Sequence, residues 1–177
     1  MRKAMKGELP LIQAVQALQG ELLTMMPTLP EEEPALLEEE ANLIDNAKKI
    51  FLMSAGLAVE KYQMELEKQQ EILRDIADIA IEIYAMESAR LRAKKALDKE
   101  GEEKARLKAD LTRAHVYEAF PRVEQRARHI LSAMEEGDVL RTQLSVLKKL
   151  TRYTPINEAA LKRSIAKQVL EAEGYVV

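Results

Sequence analysis

Cysteine is absent from the 177 residues, so disulfide frameworks, thiolate nucleophiles and thiolate metal sites are excluded, and a cytosolic setting is the natural expectation. Tryptophan is absent too, and only 2 Phe and 5 Tyr occur, too few to build a stacking platform for bases. The formal charge of −3 lacks the basic excess of a nucleic-acid binder, so no nucleic-acid partner is expected. No apolar run approaches the eighteen residues of a bilayer span. The basic start, MRKAMK, is followed by Gln13, Gln16 and Gln19 without a small-residue cleavage pattern, which argues against a signal peptide. The 6 glycines form neither a dinucleotide fingerprint nor a phosphate loop, and no G-x-S-x-G turn is present.

What is abundant is Ala, Leu, Glu and Lys, with 47% hydrophobic and 32% charged residues, the composition of an all-α protein. The chain is long enough to bury a core without metal or disulfide. The expected architecture is an antiparallel helical bundle of about four main helices with shorter terminal ones. Leu11 to Met26 reads as an amphipathic helix striped by Leu11, Val15, Leu18 and Leu22, with Pro10 in its first turn. The three prolines of PTLPEEEP then break it, which divides the chain into residues 1–33 and a bundle over 34–177.

Pro34 suits the first turn of the next helix, and Glu31 to Glu33 with Glu38 to Glu40 read as a solvated run favoured by the helix dipole. Its apolar side carries Leu36, Leu43, Ala47, Ile50 and Leu57. From Ile50 to Val59 it is apolar nearly all round, which places that half deep in the bundle or at an interface. A break is expected near Tyr62 to Glu67.

The central helix, Gln69 to Leu97, gathers Ile72, Leu73, Ile76, Ile79, Ala80, Ile83 and Tyr84 on one side. A second strip of Ile81, Ala85, Ser88 and Ala89 predicts neighbours on two sides. Arg90, Arg92, Lys94 and Lys95 suit its C-terminal end. Residues 102–135 carry a heptad seam of Ala105, Ala109, Thr112, Val116, Ala119, Val123, Ala127, Ile130 and Met134, with Pro121 projecting opposite it toward solvent. Gly137 and Asp138 supply a stop and an N-cap, Leu140, Leu144 and Leu147 mark a short helix, and Thr154 with Pro155 predict the start of a last helix that runs to about Glu173.

Candidate chemistry is sparse. A di-iron bundle needs Glu-x-x-His on two helices, but Thr112 and Arg126 stand three residues before His115 and His129. The two imidazoles are separated by roughly 21 Å along a helix and cannot share a metal. Ser54, Ser88, Ser132, Ser145 and Ser164 lie within predicted helices without a base. Glu87 falls on the apolar side of the central helix, where a buried carboxylate could act as a base. Arg90, three residues on, makes it a paired structural group instead, while Asp78 and Glu82 read as solvated. No catalytic, cofactor-binding or metal-ligating residue is assigned.

The segment QEILRDIADIAIEIYAMESARLRAKKAL resembles the C-terminal helical extension of acyl-CoA dehydrogenases similar to the very-long-chain enzyme, as do NLIDNAKKIFLMSAGLAVEKY, DVLRTQLSVLKKLTRYTPIN and the closing EGYVV. The resemblance covers essentially the whole chain. It implies a non-catalytic domain of a FAD-dependent enzyme that forms the α,β double bond of long-chain acyl-CoA in fatty-acid β-oxidation, with the glutamate base and the flavin both in a preceding catalytic body. It also implies packing on that body, a role in shaping a dimer, and membrane attachment near the start of the extension. Gln and Glu within Leu11 to Met26 favour ordinary packing there over peripheral contact at the inner membrane face. Surface meant for the body predicts a homo-oligomer when the chain is alone. The alternative is a free-standing module that binds partner helices or itself through the Ala-rich seam and Ile50 to Val59.

Overall fold

The computed structural model describes residues 35–173, which form five α-helices, one 3-10 segment and, among the described residues, no strand. The expected first helix and proline-rich linker, residues 1–33, lie outside them, as do Pro34 and Glu31 to Glu33. The three long helices are α1 (Glu38–Tyr62), α2 (Gln70–Glu100) and α3 (Glu102–Met134); α4 (Gly137–Leu150) and α5 (Glu158–Ala172) are shorter.

The heptad seam of α3 is the backbone of the core. All nine of its residues, from Ala105 to Met134, are buried, and Pro121 lies inside the helix on its exposed side. Small seam residues let α2 approach closely. Cross-links such as Glu82 to Arg122 and Asp78 to Arg126 keep a constant sum of residue numbers, so α2 and α3 run antiparallel. Glu39 to Arg113 and Lys61 to Glu135 instead keep a constant difference, so α1 and α3 run parallel, with α2 returning between them. Tyr153, on the connection after α4, sets its ring edge-on to Phe120 at 5.4 Å and to Tyr117 at 5.8 Å.

The expected break after Tyr62 is the 3-10 segment Gln63–Lys68, entered through Gln63 at a positive φ of 46°. Ile50, Met53, Ala55 and Ala58 are buried and Leu52, Leu57 and Val59 pack partly buried against the core, so the all-round apolar stretch lies deep in the bundle. That stretch and the α3 seam are therefore used up inside the molecule. Neither is free to bind partner helices, which removes the surfaces on which the free-standing module rested.

Four local expectations are corrected. Helix α1 starts at Glu38 after a left-handed Leu37, and the Glu38 carboxylate accepts the Ala35 amide at 2.9 Å. Helix α4 is preceded by an extended Glu136, while Gly137 takes φ 60° in its first turn and Asp138 pairs there with Arg141, so Asp138 is not the cap. The last helix starts at Glu158, later than Thr154 and Pro155 suggest, because the Asn157 side chain accepts the Ala160 amide and satisfies the first turn. Finally, α2 does meet neighbours on two flanks, α1 at Glu87 and α3 at Ala89, but not through the expected rows. Its buried row is Ile72, Ile79, Met86 and Ala93, between those flanks, and Ala80 and Tyr84 of the first expected row and Ile81 of the second stand in solvent.

Candidate functional site

Charged side chains that the helical pattern turns toward the interhelical grooves meet as ion clusters, and any chemistry in the described residues has to be sought among them. At the start of α1, Glu39 accepts the Tyr117 hydroxyl at 3.0 Å and Arg113 at 3.4 Å, while Glu40 faces the Arg113 guanidinium at 3.3 Å. Burial, and then the Glu39 acceptor, push the Tyr117 phenol up to about 12. Glu40 is only 4% exposed, and burial raises its pKa despite its own backbone hydrogen bond and Arg113. The acidic run is thus only partly solvated. Spacing contains the missed signal: Glu40 stands three, four and seven residues before Leu43, Ile44 and Ala47, on the buried face of α1.

Glu87 is held between Lys48 at 2.7 Å and Arg90 at 2.9 Å. Lys48 first, then Arg90, keep its carboxyl below the usual range, the opposite of what a general base near neutrality requires. The pairing with Arg90 was legible in the i, i+3 spacing; Lys48, reaching across from α1, was not. Glu82 accepts two bonds from Arg122, at 2.7 and 3.0 Å, which lower its pKa. Asp78 pairs with Arg126 at 2.7 Å, and Arg126 also holds the buried Asp75 at 3.1 Å. Asp78 and Glu82 are therefore bundle cross-links, not solvated groups. His129 lies 4.0 Å from Asp75 at the surface, whereas His115 is half-buried on α3. No group of three or more His, Asp or Glu among the described residues is arranged to hold a metal ion.

Two open grooves adjoin these clusters. One, of about 500 Å³ between the ends of α2 and α3, has a floor of Ala89, Ala93 and Ala96 under Lys95, Lys99 and Lys108. The other, of about 370 Å³, lies beside Glu40, Ala109 and Arg113. Neither contains an aromatic ring to face an isoalloxazine or a glycine-rich loop to cradle a pyrophosphate, so these residues do not fit a flavin.

The ion clusters predict opposing pH responses. Glu82 and Glu87, lowered in the folded state, contribute stability above the ordinary carboxylate pKa that is lost as pH falls through their folded values. Glu40, raised, opposes folding once pH exceeds that ordinary value. Glu40→Gln is expected to be neutral or stabilising at pH 7, by no more than about 1 kcal/mol, because Arg113 retains Glu39. The gain should shrink toward pH 4, where Glu40 is protonated. Urea unfolding at both pH values checks this; a less stable variant at pH 7 would show that the Arg113 attraction outweighs burial.

Comparison with known proteins places this geometry. A probable acyl-CoA dehydrogenase of Bacillus subtilis (strain 168) is 49% identical over 179 aligned positions, which take in 100% of this chain and 30% of that protein. The crystal structure of an acyl-CoA dehydrogenase complexed with FAD from Bacillus anthracis matches with a TM-score of 0.93 and 50% identity, over 99% of this chain and 29% of that one. The chain thus spans less than a third of the length of either. Residues 46–149 match the family model of the acyl-CoA dehydrogenase C-terminal domain, and it is to this family that the chain belongs.

Proposed function

We propose that this chain is the non-catalytic C-terminal domain of a FAD-dependent acyl-CoA dehydrogenase of the very-long-chain type, packing on a catalytic body and shaping its dimer in fatty-acid β-oxidation. The observation that carries this reading is the span of the match: the whole chain aligns with 30% of a relative called a probable acyl-CoA dehydrogenase. The site chemistry agrees with a supporting role. Carboxylates of the bundle interior are tied to arginine or lysine, and the one carboxylate whose pKa is raised among the described residues, Glu40, faces Arg113.

In this reading FAD and the α-proton base reside in the remainder of the full-length polypeptide, which acts in the cytoplasm. Among the described residues no helix is long and apolar enough to cross a membrane. The expectation of peripheral membrane contact concerned Leu11 to Met26, which lie outside the described residues.

Purified alone and mixed with FAD, a long-chain acyl-CoA and an artificial electron acceptor, the chain is expected to stay colourless after gel filtration and to reduce no acceptor. Turnover above a flavin-only blank would overturn the non-catalytic assignment.

A further inference from the structure

Helix α2 carries an apolar row on its solvent side. Ala77, Ala80, Ile81, Tyr84 and Leu91 fall within about 100° of arc, opposite the buried row of Ile72, Ile79, Met86 and Ala93. Ile81 is 63% exposed, Tyr84 76% and Leu91 52%. Between Asp75 and Lys94 no charged residue enters that arc, although 32% of the chain is charged. Glu87, the carboxylate at the margin of the row, is drawn back into the bundle by Lys48. A soluble helix has no need of such a row, and contiguous exposed apolar surface of this kind marks an interaction site.

We propose that this row docks an uncharged, apolar helix face belonging to the part of the full-length polypeptide outside this chain. The inference rests on the C-terminal-domain reading above and adds the surface through which the domain would be held. Two observations favour a tethered occupant over a second copy. The row is roughly 21 Å long and one helix wide, well short of the approximately 800 Å² per partner of a stable dimer. A covalently linked partner needs far less area, because its effective concentration is on the order of millimolar. The matched relatives also supply such a partner, since about 70% of the Bacillus subtilis protein lies outside the match. The occupant is bulky over Ala77 and Ala80 and recessed over Tyr84 and Leu91.

The test uses the full-length Bacillus subtilis relative with this chain in its matching position and Tyr84→p-benzoylphenylalanine as a photocrosslinker. Irradiation is expected to join position 84 to peptides outside the 177 residues within one polypeptide, and Ile81→Glu should cut that yield about tenfold. Crosslinks to α2 of a second copy would overturn the proposal in favour of self-association. If position 84 captures nothing while the same crosslinker at the exposed Met64, Val139 or Leu170 captures the body, the chosen face is wrong and the domain reading stands. Failure to capture the body from all four positions would overturn both.

Discussion

Phe120→Ala is expected to lower the unfolding free energy by about 3–5 kcal/mol, the cost of emptying a fully buried aromatic site. Phe120 has no exposed surface, and it is flanked on α3 by Val116, Tyr117 and Val123, all within the same core. Its ring also meets that of Tyr153 in a T-shaped contact at an interplanar angle of 89°. Removing it therefore leaves a cavity and takes away the contact that pins the connection between α4 and α5 to the bundle. Urea unfolding followed by circular dichroism measures the loss. Leu170→Ala, at a side chain 76% exposed, serves as the control and should change stability by less than about 0.5 kcal/mol. A loss at Phe120 below about 1 kcal/mol would mean that the core closes over the vacancy, contrary to close packing.

That contact also marks where sequence reasoning stops. The α3 seam was legible residue by residue, because a 4,3 repeat of small and branched side chains has one way to be buried in a helix. Tyr153 carries no such signal: it sits on a connection without periodicity, and its place over Phe120 depends on how far α4 travels before the chain returns. Glu40 and Lys48 were missed for related reasons. A run of glutamates at a helix start looks solvated until the packing partner is known, and Lys48 finds Glu87 only through the α1–α2 register. Periodicity fixes which way a side chain turns; it does not say whether another helix is waiting there. On α2 that ambiguity misled, because Ala80 and Tyr84 share a row with Ile76 and Ile83 yet face solvent, whereas Ala89 of the second row meets α3.

Gly101→Ala is expected to destabilise the protein by about 1–3 kcal/mol, although a methyl group there would touch nothing within 4 Å. The penalty lies in the backbone. Gly101 has φ 80° and ψ 168°, a region that L residues with a side chain scarcely enter. It is the one non-helical residue between helices of 31 and 33 residues, donating its amide to Leu97 and accepting that of Ala105, both at 3.1 Å. Relaxing to negative φ would break this link and shift the register that aligns Glu82 with Arg122 and Asp78 with Arg126. Gly137, at φ 60°, also has a positive φ, which an L residue adopts at a cost of roughly 1–2 kcal/mol. Gly137→Ala should therefore also lower the thermal unfolding temperature. The decisive variant is Gly101→D-alanine, introduced by semisynthesis. For a D residue the same angles are the mirror of an ordinary extended conformation, and the methyl group restricts the unfolded chain. It is expected to leave stability unchanged or raise it by up to about 1 kcal/mol. Equal losses for the L and D variants would place the cost in side-chain crowding and refute the backbone explanation.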